Sequence, residues 1–368
     1  MLQRRVLSTL TKPAAGLIKV ELQGTALSPA ITADQLETLV LSSPSKSFTP
    51  ANCSETIYLL GAKRSGNKFA LDRALALSKD MEFSPAHLSQ VFVGLATNRS
   101  VTKLPEFLVH HPTLTLGLSL FSVLDLKSVV HSLARLDQRE QHVLDAIAKE
   151  ISSRPLLLEA FSGKDLSAVL YSYAKLKMRD SQSANEMVSK MYDELRLRKE
   201  WTKFRATDYA DLLVAFAYFG KTDGVLLSKW ETELIRAKPT KWCGSDFTKI
   251  IASMPQLPFA NPSNFLNSYL FDAMLGRGHF SFNGHDVQKM TQALSLLQVP
   301  PPQVFLDRLC ILLQDNPSEF RIPHLSYIAT ALRQLDGACD SAQAIQMLEA
   351  QHTTRSAANK LLHHKALQ

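Results

Sequence analysis

Residues 161–176 read FSGKDLSAVLYSYAKL, and residues 121–136 read FSVLDLKSVVHSLARL. Laid over one another, they share an aromatic, a serine, two variable positions, an aspartate and a leucine, followed by apolar residues at helical spacing. Each shared position has a physical reason. Ser162 can accept from the free N–H groups that open a helix, and Asp165, three residues on, can reach back to the Ser162 N–H as a capping-box variant. The aspartate charge also suits the positive end of the helix. Phe161 before the cap and Leu166 in the first turn can close over one another as a hydrophobic staple. Beyond the cap, Leu166, Val169, Leu170, Tyr173, Ala174 and Leu176 form one buried stripe.

The same frame runs through the chain. FSPAHLSQVFVGLA starts at Phe83 and FRATDYADLLVAFAYF at Phe204; weaker copies are WCGSDFTKIIASMPQL from Trp242, FNGHDVQKMTQALSLL from Phe282 and FRIPHLSYIATALRQL from Phe320. A degenerate first copy, FTPANCSETIYLLG, starts at Phe48. The eight anchors are spaced by 35, 38, 40, 43, 38, 40 and 38 residues, a period that marks a repeat architecture. Ser122 with Asp125 and Asn283 with Asp286 repeat the cap, and Pro50 and Pro85 stand at a first helical position, where the missing N–H costs nothing. Alanines recur within the stripe at Ala96, Ala134, Ala174 and Ala217 and let a neighbouring helix come close.

A second helical pattern follows the first: Val143, Ile147 and Ile151; Met187, Met191 and Leu195; Leu226, Trp230 and Leu234; Phe305, Leu309 and Leu313. Each copy is therefore a helix pair. Stacked pairs give an all-α fold, an α-solenoid of about eight helix-pair repeats of 35–43 residues with one continuous core. The array spans residues 48–340, after a polar, irregular leader at 21–47 and before a C-terminal capping helix and tail at 341–368.

Residues 1–20 are basic at Arg4, Arg5, Lys12 and Lys19, hold no acidic residue, and can place Leu2, Val6, Leu7 and Leu10 on one helical face. That composition fits a mitochondrial transit peptide and a matrix location. The stretch supplies +4 of the formal net charge of +7, so the remainder is only mildly basic. No apolar run approaches the length of a membrane span. The four cysteines, Cys53, Cys243, Cys310 and Cys339, form no C-x-x-C pair and read as buried, reduced thiols.

The F-S-x-x-D-L start, the L-x-x-A-x-L continuation and the near-38-residue period resemble the heptatricopeptide and octotricopeptide repeats of organellar RNA-binding proteins, including FAST-kinase-like ones. The resemblance covers residues 48–340, without the compact RAP domain that ends many such chains. It implies a curved helical array that processes, stabilises or packages RNA in an organelle.

Two, six and ten places after each aspartate lie residues expected on one exposed face: Lys127, His131 and Arg135; Ser167, Tyr171 and Lys175; Ala210, Val214 and Tyr218; Thr248, Ala252 and Gln256. Lys249 and Lys289 stand beside this column. Basic side chains could meet phosphates there while Tyr171 and Tyr218 stack bases, as single-stranded nucleic acid requires. A second basic candidate is the run Arg196, Arg198, Lys199, Lys203 and Arg205, which encloses Trp201 and Phe204. Both groups also read as ordinary solvated residues, and apolar Val93, Val214 and Leu296 in the column equally suit a docked protein.

Motifs for catalysis are missing from the sequence. Gly276-Arg277-Gly278 begins like a phosphate loop, but Ser281 replaces the third glycine and no strand precedes it. His110-His111 and His363-His364 are adjacent pairs, which do not share a helix face. The sequence thus points to a non-enzymatic mitochondrial RNA-binding subunit of a ribonucleoprotein, without cofactor or metal. An RNA processing or editing assembly and a mitochondrial ribosome both fit, with RNA and other protein subunits as partners. The alternative is a protein–protein scaffold with no direct RNA contact.

Overall fold

A computed structural model describes residues 20–199, 201, 203–220, 223–275, 282–335 and 341–366. The transit peptide expected at 1–20 lies outside these residues except for Val20, as do Gly276-Arg277-Gly278, Cys339 and the side chains of His363 and His364. The chain divides after Arg198 into two compact units. Each is an all-α, solenoid-like stack holding four of the eight sequence copies.

In the N-terminal unit, helices α1 (Ala33–Ser42), α2 (Pro50–Ala62), α3 (Lys68–Ser78), α4 (Pro85–Thr97), α5 (Glu106–Val109) and α6 (Pro112–Leu116) precede α7 (Val123–Arg135). They are followed by α8 (Gln141–Ser153), α9 (Pro155–Ala160), α10 (Gly163–Lys175) and α11 (Gln182–Leu197). The C-terminal unit holds α12 (Ala206–Phe219), α13 (Gly224–Ala237), α14 (Gly244–Ser253), α15 (Pro262–Phe265), α16 (Phe271–Leu275), α17 (Gly284–Leu297), α18 (Gln303–Asp315), α19 (Ile322–Arg333) and α20 (Ala342–Ala366). A π-helical turn, Leu266–Leu270, joins α15 to α16.

Every sequence copy opens a first helix two residues after its anchor: α2, α4, α7 and α10, then α12, α14, α17 and α19. The anchors Phe48, Phe83, Phe121, Phe161, Phe204, Phe282 and Phe320 are buried, while Trp242 is half-buried and stacks on Phe247 at 4.7 Å. The third residue supplies the local logic in seven of the eight first helices, α4 being the exception. Asn52, Asp125, Asp165, Asp208, Asp246, Asp286 and His324 all accept a hydrogen bond from the backbone N–H at the N-cap. These acceptors satisfy donors that a helix start leaves unpaired.

First helices pack side by side, α2 on α4, α4 on α7 and α7 on α10 in one unit, and α12 on α14, α14 on α17 and α17 on α19 in the other. Glycine brings α2 and α4 especially close. A Cβ on Gly94 would stand 2.6 Å from the Ile57 carbonyl oxygen, and one on Gly61 would overlap the Gly94 carbonyl. In the C-terminal unit the core is aromatic. Trp230 is fully buried, donates from Nε1 to the Tyr209 carbonyl at 3.0 Å, and meets Phe265 and Phe259 at ring distances of 5.8 and 6.1 Å.

Several segments differ from the sequence expectation. The leader at 21–47 is not irregular throughout: Glu21–Leu22 and Thr25–Ala26 pair as a short hairpin, and α1 follows with a capping box between Thr32 and Gln35. The second element of the Phe83 copy is broken into α5 and α6 by Pro112. His111 is structural, capping α6 through Nδ1 while its Nε2 lies 3.0 Å from the Met81 carbonyl. Cys53 and Cys310 are buried, burial pushing the Cys53 thiol up to about 12, but Cys243 is exposed at the N-cap of α14. No helix among the described residues is long and apolar enough to cross a membrane.

Candidate nucleic-acid interface

Helix α7 turns Leu126, Val129, Val130 and Leu133 into the core. Lys127, His131 and Arg135 recur every four residues on another face, and the three fare differently. Lys127 is half-buried in the seam with α10, where its Nζ donates to Asp165 Oδ1 at 2.7 Å. His131 and Arg135 are exposed, as is Lys175 on α10, while Tyr171 is half-buried. Arg135 and Lys175 make no ion pair among the described residues.

The expected column is therefore only partly a surface. Its first row belongs to the helix–helix seam: Ser167 and Ala210 are fully buried and Thr248 is nearly so. Its later rows, near the C-terminal ends of the first helices, face outward. Three cations surround one imidazole there. Although His131 is exposed, desolvation lowers its pKa below the ordinary histidine value, and the positive charges of Arg135, Lys127 and Lys175 lower it further.

The Lys127–Asp165 pair is one of two like ties that the sequence reading did not foresee. Ser89 on α4 donates to Asp125 Oδ1 at 2.8 Å, from the same place in its copy that Lys127 occupies in the next. The capping aspartate thus closes its own helix start and holds the preceding first helix. The signal available was a polar residue two places after the capping position in one copy and an aspartate at that position in the following copy. In the C-terminal unit Ala210 occupies the donor place, and Asp246 Oδ1 is buried with no hydrogen-bond partner among the described residues. Lys249 reaches back to Asp211 at 2.6 Å. Burial pushes the Asp211 carboxyl up to about 6, against the pull of Lys249.

Burial alone would raise the Asp165 carboxyl, but Lys127 and Ser162 more than offset it and hold it below its ordinary value. Because the folded pKa is the lower one, the pair stabilises fully above the unfolded carboxylate pKa of about 4 and is lost as pH falls through the folded value. Lys127→Ala is expected to cost about 1–2 kcal/mol at neutral pH, between the worth of an exposed pair and a buried one. Urea unfolding should show that cost shrinking below about pH 4. A cost that is unchanged in acid would refute the role given to the pair.

The basic run does not form the surface expected of it. Arg196 pairs with Asp193 at 2.7 Å. Arg198 pairs with Glu194 at 2.9 Å and donates to the Phe161 carbonyl at 2.6 Å, so its charge serves the end of α11. Arg205 grips Asp208 at 2.9 and 3.2 Å at the start of α12. Trp201 and Phe204 are buried against one another at 5.4 Å and cannot offer faces to bases. Lys199 and Lys203 remain exposed. Among the other candidates Lys289 is exposed, and Tyr218 is half-buried against Phe219 at a ring distance of 5.1 Å.

A stack of first helices, each opening on the same cap, defines an α-helical repeat protein. The chain belongs to the family of RNA-editing substrate-binding complex 6 proteins, whose family model matches residues 83–299, more than half its length. The match opens on the anchor Phe83 and runs through the first helix of the Phe282 copy. No curated protein matches the chain. This family is not the heptatricopeptide or FAST-kinase-like one that the repeat pattern resembles. The two readings share a helical protein of RNA processing.

Proposed function

We propose that the chain is a non-catalytic subunit of a mitochondrial RNA-editing substrate-binding complex and contacts RNA through the outward rows of α7 and α10. The observation that carries this reading is the grouping of His131, Arg135 and Lys175 on two adjacent helices, with both full cations exposed. The family name supplies the assembly and favours editing over a ribosome. The acid-free basic start at residues 1–20, read as a transit peptide, supports a mitochondrial location. Lys199, Lys203 and Lys289 are separate exposed candidates of the C-terminal unit.

Crosslinking of the tagged protein to RNA in isolated mitochondria tests this directly. Arg135→Glu with Lys175→Glu is expected to reduce crosslinking at least about tenfold, because two phosphate-facing charges are reversed. Lys127 is left unchanged, since altering it would disturb the seam. Crosslinking that persists in the double variant would rule out this face. An unaltered protein that never crosslinks but still co-purifies with partner proteins would establish the scaffold reading. That second reading is favoured by Leu116, Leu120 and Leu156 of the N-terminal unit, exposed at 87%, 74% and 63%.

A further inference from the structure

The imidazole of His131 lies one helical turn from Lys127 and one from Arg135, and Lys175 holds on α10 the place that Arg135 holds on α7. The helices packed on α7 are α4 and α10. Of charged or titratable groups, α4 brings only His87, while α10 brings Lys164, Asp165, Tyr171, Lys175 and Tyr173, the last fully buried with its hydroxyl donating to the Leu144 carbonyl. On α7 itself stand Asp125, Lys127 and Arg135.

Both carboxylates in that set are committed. Asp125 accepts from Ser89 and Ser122, and Asp165 from Lys127 and Ser162. Lys127 is neutralised by Asp165 in turn. What remains is Arg135 and Lys175 beside a ring whose protonation they oppose. An anion arriving between them would be the first uncommitted negative charge at the spot. It would cancel the field that disfavours the imidazolium and attract the imidazolium itself.

We propose that His131, Arg135 and Lys175 form one phosphate site, in which the imidazole takes a proton from solvent as an RNA backbone phosphate arrives. This rests on the RNA-contact reading and adds to it a specific ligand atom group and a coupling to pH. A guanidinium and an ammonium supply the constant attraction. The imidazole supplies a third donor whose charge depends on both pH and occupancy. A single proton limits the coupling to a tenfold change in affinity for each pH unit, on the order of linkage theory.

The experiment is fluorescence anisotropy of a short labelled single-stranded RNA with the full chain, at fixed salt, between about pH 6 and pH 8, where a histidine titrates. For the unaltered protein, Kd is expected to rise about three- to tenfold across that range. His131→Gln should bind with a pH-independent Kd near the unaltered protein's alkaline value. His131→Lys should be equally flat, near the acid value. Circular dichroism checks that these surface variants keep the fold. A His131→Gln protein that retains the full pH dependence overturns the proton coupling and leaves RNA contact standing. Binding that is indifferent to Arg135→Glu with Lys175→Glu, or no RNA binding at any pH, overturns both.

Discussion

Trp230→Ala is expected to destabilise the C-terminal unit by about 3–5 kcal/mol, the range for removing a large aromatic from a packed core. Trp230 is fully buried, and its ring meets Tyr209 on the paired helix α12 and Phe259 and Phe265 in the segment that follows. The loss is more than area. Its Nε1 proton satisfies the Tyr209 carbonyl, and the Tyr209 hydroxyl in turn donates to the Glu233 carbonyl at 3.1 Å. The Glu233 carboxylate also accepts from the Trp201 backbone N–H at 3.0 Å. Alanine would leave a cavity where Tyr209, Phe259 and Phe265 now meet. All three tryptophans, Trp201, Trp230 and Trp242, belong to the C-terminal unit, so tryptophan fluorescence follows that unit alone. In the variant, Trp201 remains as reporter, stacked on Phe204. A denaturant midpoint within experimental scatter of the unaltered protein would mean that the aromatic cluster contributes little.

Gly94→Val is expected to cost the N-terminal unit about 3 kcal/mol or more, since the added carbons meet backbone and not a movable side chain. A Cβ at Gly94 falls 2.6 Å from the Ile57 oxygen and 2.7 Å from Tyr58 Cα, inside any tolerable contact. Replacing glycine within a helix ordinarily helps by up to about 1 kcal/mol, which is too small to offset the clash. Helices α2 and α4 would have to separate along their length. Hydrogen exchange at the backbone amides of residues 50–97 reads this out, with faster exchange expected in both helices. Exchange unchanged at both would show that the glycine contact is not what holds the two together.

The starts of the first helices were legible because a cap and its staple are decided within about five residues of chain. Asp125, Asp165 and Asp286 do at the helix starts what their spacing from Ser122, Ser162 and Asn283 implied. What was not legible depends on residues far apart in sequence. Periodicity places Lys127 and Ser167 each on the polar side of its own helix, but not in the groove that a second helix fills. The Lys127–Asp165 contact joins residues 38 apart, and Arg198 is spent on a carbonyl 37 residues earlier. Trp201 and Phe204 looked like stacking faces because the run around them is basic, whereas Tyr209 claims both for the core. Helix α1 could have been found. Thr32 and Gln35 form a capping box ahead of Leu36 and Val40, but the serines around it suggested a linker.

The double use of the capping aspartates gives the array a fixed reading order. A copy with a lysine or serine donor in its first helix suits a successor whose capping residue has a free carboxylate oxygen: Ser89 suits Asp125 and Lys127 suits Asp165. Exchange the Phe121 and Phe204 copies, and Ala210 would face Asp165 with no donor while Lys127 met a new neighbour. The chain already contains one such mismatch, at Ala210 and Asp246. Modules of this kind share a fold without being interchangeable parts. An attempt to lengthen or reorder them would have to carry each donor together with the acceptor in the copy that follows.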